Sequence, residues 1–144
     1  MSQQYSIGKM AKAGNCRVQT IRYYEQIGLL ALPERTEGNQ RIYYQEHMDK
    51  LRFIRHSREL GFSLDQIKEI LTLSEDPFHS CEEVDQIAHS HLQDVESKIK
   101  RLQSMRKELK RMITQCAGKQ VADCRIIEVL SNHTLCISQQ HPKP

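Results

Sequence analysis

Apolar positions recur along the chain with helical spacing in six runs, and one stretch between them has strand character. Ser6 is placed to cap a first helix carrying Ile7, Met10 and Ala11, with Gly14 to stop it. After a short turn, Val18, Ile21, Tyr24 and Ile27 mark one face of a second helix that Gly28 ends. Helix, tight turn with glycine, helix is a helix-turn-helix layout. From Leu30 to Tyr44 the character changes: Pro33, Gly38 and Asn39 form turns, while Ile42, Tyr43 and Tyr44 favour a strand. That pattern predicts a small two-stranded wing. A third helix follows over Glu46–Leu60, with Met48, Leu51 and Ile54 on its apolar face and Gly61 closing it. Ser63 and Gln66 form a capping box that opens a fourth helix through Ile67, Ile70 and Leu71, and Asp76-Pro77 breaks the chain after it.

The longest run lies between Cys81 and Cys116. Val84, Ile87, Ala88, Leu92, Val95, Ile99, Leu102, Met105, Leu109 and Met112 make one stripe, uninterrupted by Gly or Pro. Charged residues from Glu96 to Arg111 occupy the other face. A helix of this length spans roughly 52 Å, so its two end cysteines cannot meet within one chain. They meet if two copies pair antiparallel, and a long helix with a single apolar stripe calls for a partner in any case. Gly118 is placed to end the helix, and Cys124 closes a short loop from Cys116 before a last apolar segment at Ile126, Ile127, Val129 and Leu130.

The 144 residues suit one compact domain plus an extension, and the net charge of +3 says little by itself. Its distribution says more: residues 1–58 hold ten Lys/Arg against five Asp/Glu. Such an excess suits a nucleic-acid partner, although a solvated basic face carries the same signature. The predicted second helix exposes Arg17, Gln19, Thr20, Arg22 and Tyr23, residue types that bond base edges and phosphates in a major groove. Arg35 and Arg41 flank the predicted turn of the wing, placed to touch the phosphate backbone or the minor groove, although an ordinary surface hairpin has the same pattern. Lys50, Arg52 and Arg55 add further cations. The candidate DNA-contacting set is Arg17, Gln19, Thr20, Arg22, Tyr23, Tyr24, Arg35, Asn39, Arg41 and Tyr43.

Five cysteines, an odd number, without a secretory segment point to reduced thiols and a cytoplasmic location, and no membrane-spanning run or lipidation motif stands out. Two loop thiols, Cys116 and Cys124, with Cys81 from a partner chain would form a three-sulfur site. Thiolates select soft ions such as zinc, cadmium, mercury, lead or copper(I) over magnesium and calcium. Spacing alone also allows three unrelated or structural cysteines. Cys16 reads as a small packing residue in the helix-turn-helix, and the sequence leaves open whether His133 and Cys136 form an accessory metal site in the tail. His47, His56 and His79 read as surface or packing residues.

Three stretches, occurring in this order, carry a resemblance. They are Ile21-Arg-Tyr-Tyr-Glu25 with Gly28-Leu-Leu30, the run Arg35-Thr-Glu-Gly-Asn-Gln-Arg-Ile-Tyr43, and Leu51-Arg-Phe-Ile-Arg55 leading to Leu60-Gly-Phe-Ser-Leu64. Over residues 5–131 the chain resembles the MerR family of metal-sensing transcriptional regulators. The resemblance implies a winged-helix DNA-binding domain, an antiparallel coiled-coil dimer and a metal-binding loop. In that family a cysteine at the start of the dimer helix, here Cys81, marks sensors of divalent ions, and copper(I) sensors typically lack it. The family's zinc sensor usually has paired cysteines at the helix end and a loop histidine. Here Ala117 follows Cys116, and no histidine lies between Cys116 and Cys124. That departure favours a single three-thiolate site, as in the cadmium/lead and mercury sensors. Leu60-Gly-Phe-Ser-Leu64 looks closer to the zinc and mercury branches, and His79-Ser-Cys-Glu-Glu83 is similar to the mercury sensor.

The expectation is a mainly α chain in four parts. A winged helix-turn-helix DNA-binding domain occupies 1–75, a long antiparallel coiled-coil dimerisation helix 76–115, a metal-binding loop and short helix 116–133, and a disordered tail 134–144. Its partners would be promoter duplex DNA, RNA polymerase and a second copy, with no membrane. Its ligand would be one soft divalent ion per site: cadmium, lead or zinc, with mercury behind. A redox or iron–sulfur switch would need a fourth clustered ligand, and no carboxylate–histidine set accompanies the cysteines to suggest an enzyme.

Overall fold

A computed structural model describes residues 3–115, 120, 121, 124–132 and 134, and these divide between two compact units, 1–84 and 85–144. In the first unit the order is β1 (Gln4–Tyr5), α1 (Ile7–Ala13), α2 (Val18–Gln26), β2 (Glu34–Arg35), β3 (Arg41–Tyr44), α3 (Gln45–Glu59) and α4 (Leu64–Ser74). The architecture is mainly helical with a small sheet, as expected.

The helix ends follow local chemistry. Ser6 Oγ accepts from the Lys9 backbone N–H at 3.2 Å and starts α1. The capping box of α4 is complete: Ser63 Oγ accepts from Gln66 N at 3.1 Å, and Gln66 Oε1 accepts from Ser63 N at 2.9 Å. Gly28 and Gly61 take the positive φ values of 77° and 87° that end α2 and α3. The turn after α1 works differently. Gly14 itself stays right-handed, and Asn15 carries the left-handed conformation at φ 49°. Glycine is needed at 14 for space, since an added Cβ would lie 2.6 Å from Leu51 Cδ2.

The wing is a three-stranded antiparallel sheet in the order β1-β3-β2, one strand more than the sequence pattern suggested. Glu34 pairs with Ile42 and Arg35 with Arg41, while on the other side Gln4 pairs with Tyr44 and Tyr5 with Tyr43. Two residues at the start of the chain are too few to show an alternating pattern. The Tyr5 hydroxyl, donating to Gln45 Oε1 at 2.7 Å, further ties β1 to the start of α3.

Two apolar clusters hold the unit together. Met10, Ile21, Leu30, Tyr43, Met48 and Leu51 pack α1, α2, the wing and α3; Leu29, Ile54 and Ile67 pack α3 against α4. Tyr24 is partly buried against both.

α5 (Glu82–Gln115) is a single 34-residue helix, and α6 (Arg125–Ser131) follows it. Near the end of α5 Met112 is buried, as is Val129 on α6, and Arg125 Nε donates to Gln115 Oε1 at 2.8 Å. Elsewhere the α5 stripe is open: Leu92, Ile99, Leu102, Leu109 and Ile113 are all exposed. No helix among the described residues is long and apolar enough to cross a membrane.

Candidate functional site

α2 presents the residues expected of a reading helix. Arg17, Gln19, Arg22 and Tyr23 are exposed, and Thr20 is partly so. The opposite face is anchored by Ile21, with no exposed surface, and by Glu25. That alternation follows from helical spacing: 21, 24 and 25 face inward, and 19, 22 and 23 outward.

On the wing, Arg35 and Asn39 are exposed and joined. Arg35 Nη1 donates to the Asn39 carbonyl at 3.0 Å, and Asn39 adopts φ 63° to make the turn. The turn closes through Thr36 N to the Gln40 carbonyl at 2.9 Å and Gln40 N to Thr36 Oγ1 at 3.1 Å. On the strands, the Tyr44 hydroxyl donates to Glu34 Oε2 at 2.7 Å, cross-linking β3 and β2.

Tyr43, expected among the DNA-contacting residues, has no exposed surface and is corrected to a core residue. In a strand flanked on both sides, alternation turns every second side chain inward, and Tyr43 is the inward one. Its hydroxyl donates to Glu25 Oε1, and its ring meets His47 edge-on with centroids 5.4 Å apart. Burial first, then the hydrogen bond to Glu25 and that residue's charge, pushes the Tyr43 hydroxyl far above the usual tyrosine range. Tyr24, also expected at the DNA, is half-buried, and burial raises its hydroxyl as well.

Glu25 was not among the expected functional residues. It is a buried carboxylate that accepts the Tyr43 hydrogen bond and lies 3.9 Å from Arg41 Nη1. A signal existed: an acid four residues after Ile21 sits on the inward face of α2 and needs a buried partner there. Among the additional cations, Arg55 pairs with Glu59 at 3.2 Å.

Of the candidate metal ligands, Cys81 is an exposed free thiol one residue before α5, and Cys124 is the half-buried N-cap of α6. His79 Nε2 lies 3.4 Å from Glu83 Oε1, an exposed pair beside Cys81. Cys116, His133 and Cys136, and the tail beyond Thr134, lie outside the described residues. Among those described, no three His, Cys, Asp or Glu side chains of one chain gather as a metal cage. An exposed cysteine sulfur is of the donor type that soft ions take. Cys16 is partly buried against the first core cluster, and burial raises its thiol, in keeping with a packing role.

Residues 5–73 match the family described as MerR HTH family regulatory protein, and residues 48–112 match the one described as MerR, DNA binding. The chain is 42% identical over 129 residues to the HTH-type transcriptional regulator ZntR of Escherichia coli strain K12, covering 88% of this chain and 92% of that protein. The chain belongs to the MerR family of transcriptional regulators. Solved MerR-family structures share its fold. The transcription regulator PbrR691 from Ralstonia metallidurans CH34, in complex with lead(II), matches with a TM-score of 0.76 at 36% identity, over 88% of this chain and 98% of that one. The dual-function regulator MerR from Bacillus megaterium MB1, in complex with mercury(II), matches with a TM-score of 0.67 at 29% identity, over 89% and 100%. As a MerR-family member the protein is a transcription regulator and not an enzyme.

Proposed function

We propose that the protein is a metal-responsive transcriptional activator. It binds promoter duplex DNA as a homodimer and takes up one soft divalent ion per site through Cys81, Cys116 and Cys124. Arg17 at the N-cap of α2 and Gln19, Thr20, Arg22 and Tyr23 on it enter the major groove, while Arg35, Asn39 and Arg41 meet the phosphate backbone. Cadmium, lead or zinc is the inducer, and mercury is the runner-up, favoured by the likeness to a mercury(II)-bound relative. The protein works in the cytoplasm.

One observation carries this reading: an exposed thiol stands immediately before a 34-residue helix whose apolar stripe is open. That helix is about 51 Å long, far beyond the reach of any ligand set. Antiparallel pairing of two copies covers Leu92, Ile99, Leu102 and Leu109. It also carries the partner subunit's Cys81 toward the end of α5 that Cys116 follows in sequence. Each metal site then joins two chains, so binding the ion changes how the two DNA-binding units are held.

Activation follows by differential affinity. The ion favours the dimer conformation that distorts an overlong promoter spacer, letting RNA polymerase engage both promoter elements. Reciprocity requires that DNA held in that form raise metal affinity by the same factor. A promoter reporter titrated with zinc, cadmium, lead, mercury and copper in the same cells tests the reading. Cadmium, lead or zinc should induce at the lowest dose. Mercury acting first selects the runner-up, and induction by copper alone, or by none of the five, overturns both.

A further inference from the structure

Charge is divided unevenly along α5. Residues 82–97 carry five carboxylates and no Lys or Arg, whereas residues 98–115 carry seven Lys/Arg and one acid, Glu108. Two such helices laid parallel would set like charges together; laid antiparallel, each acidic half runs along a basic one. The apolar stripe also reads alike from both ends. Val84, Ala88, Leu92 and Val95 stand before the middle of the helix at the spacings at which Ile113, Leu109, Met105 and Leu102 stand after it. The register that matches them sets position 81 level with position 116.

Two exposed apolar side chains belong to the ends that this pairing brings together. Phe78 is 95% exposed and Val121 is 74% exposed. Isolated apolar residues on a surface are ordinary, so exposure by itself decides nothing. What singles these two out is their place, each three residues before a candidate thiol, Cys81 and Cys124. Local hydrogen bonds fix both. Phe78 N–H donates to Asp76 Oδ1 at 3.0 Å and His79 N–H to the Asp76 carbonyl at 3.1 Å, which holds Phe78 just ahead of α5. Ser80 Oγ then accepts from Glu82 N–H at 3.2 Å where the helix begins. The Val121 carbonyl accepts from Cys124 N–H at 3.1 Å, a single turn that ends in the N-cap of α6. In one chain the 34 residues of α5 separate Phe78 from Val121. They meet only across a pair.

Two sulfurs bound to one soft ion at about 2.3 Å each stand no more than about 5 Å apart. Three residues of chain reach at most about 11 Å, so Phe78 and Val121 of the partner subunit reach the same rim of a site that Cys81 and the partner's Cys124 share. We infer that Phe78 is a cross-chain cover for the metal site, packing on the partner's Val121 to shut water and competing ligands away from the bound ion. This rests on the proposed cross-chain thiolate site and deepens it. An apolar shell of this kind controls solvent access to a metal without touching it. Phe78 is thus a positioning and shielding residue, and the thiols remain the ligands.

The chain has no tryptophan, so Phe78→Trp places a lone indole at this position. Cadmium titrated into the full-length Phe78→Trp protein should move its emission to shorter wavelength and protect it from acrylamide quenching. Emission that stays as accessible as before, while cadmium–thiolate absorbance grows in, overturns the cover. The Phe78→Trp/Val121→Asp double variant by itself should stay accessible in cadmium. Mixed and refolded with excess wild type, it should regain protection, because each heterodimer sets the indole against an unaltered Val121 of the partner subunit. Protection in the double variant alone, or none after mixing with heterodimers verified by mass, overturns the cross-chain contact. Phe78→Ser should bind as much cadmium as wild type and lose it to excess EDTA roughly ten- to a hundredfold faster. Phe78→Leu, which keeps an apolar side chain, should stay close to the wild-type rate. A wild-type rate for Phe78→Ser, or equal acceleration by Phe78→Leu, overturns the shielding role. A wild-type protein that develops no cadmium–thiolate absorbance overturns the underlying metal site instead.

Discussion

The Tyr43 hydroxyl on the wing donates to the Glu25 carboxylate on α2, joining two elements whose residues stand 18 apart in sequence. A buried carboxylate is tolerable only when its oxygens are satisfied, so this bond and the Arg41 ion pair together allow an acid inside the DNA-binding unit.

Removing the donor should therefore cost more than one hydrogen bond. Tyr43→Phe leaves a buried acceptor unsatisfied and should destabilise the protein by about 1–3 kcal/mol at neutral pH, read from urea unfolding. The pH dependence has a definite sign. Tyr43's folded pKa lies above its unfolded value, so its contribution is complete below about pH 10 and declines as pH rises toward the folded pKa. The gap between wild type and Tyr43→Phe should narrow above about pH 10. A gap that widens there would mean that the tyrosine is not held neutral by the fold.

Gly14→Ala tests packing rather than backbone freedom. Gly14 has an ordinary right-handed φ of −82°, so alanine's own conformational preference does not forbid it. The new methyl would meet Leu51 Cδ2 at 2.6 Å and the Met10 carbonyl at 3.1 Å, and Leu51 is fully buried. Overpacking should cost about 1–3 kcal/mol in chemical denaturation. Pairing it with Leu51→Ala should cost less than the sum of the two changes, because the shortened side chain makes the room.

Metal binding should follow thiol chemistry. Each thiol that enters the site gives up a proton, so binding should release protons and weaken as pH falls. Cys81→Ser, Cys116→Ser and Cys124→Ser should each abolish induction and leave DNA binding in a gel-shift titration intact. Cys16→Ser and Cys136→Ser should induce nearly as the wild type does. A non-inducible Cys136→Ser would reassign the third ligand.

The cross-chain site makes the sharpest prediction. Homodimers of Cys81→Ser and of Cys116→Ser each have two sites lacking one thiolate. In their heterodimer, one site loses both cysteines and the other keeps all three. Refolded mixtures should regain cadmium–thiolate absorbance up to one tight site per heterodimer, although neither parent binds well. If all ligands came from one chain, mixing would restore nothing, and that result with heterodimers verified by mass would sink the antiparallel site.

Much of this molecule can be read without coordinates. Ser6, Gly28, Gly61 and the Ser63–Gln66 box mark helix ends because they act within four residues of themselves, and the α5 stripe is periodic along one element. The outward set on α2 follows from the same periodicity. The third strand of the wing was not legible, because Gln4 and Tyr5 acquire their strand character only from Tyr44 and Tyr43, nearly forty residues away. Asn15 in place of Gly14 as the left-handed residue was also hidden, because what excludes a side chain at 14 is Leu51, on another helix.

The sequence by itself determined the kinds and order of the helices, the family to which the chain belongs, and the inventory of cations and thiols, since these are properties of local spacing and residue type. Tertiary structure alone decided which polar groups lie inside. Tyr43 looked like a contact residue and is core; Glu25, which the sequence analysis did not single out, is buried between α2 and the wing. Spacing along one element says which residues share a face. Whether that face meets water depends on a second element's side chains, which arrive from distant positions and bring the hydrogen bonds that make burial affordable.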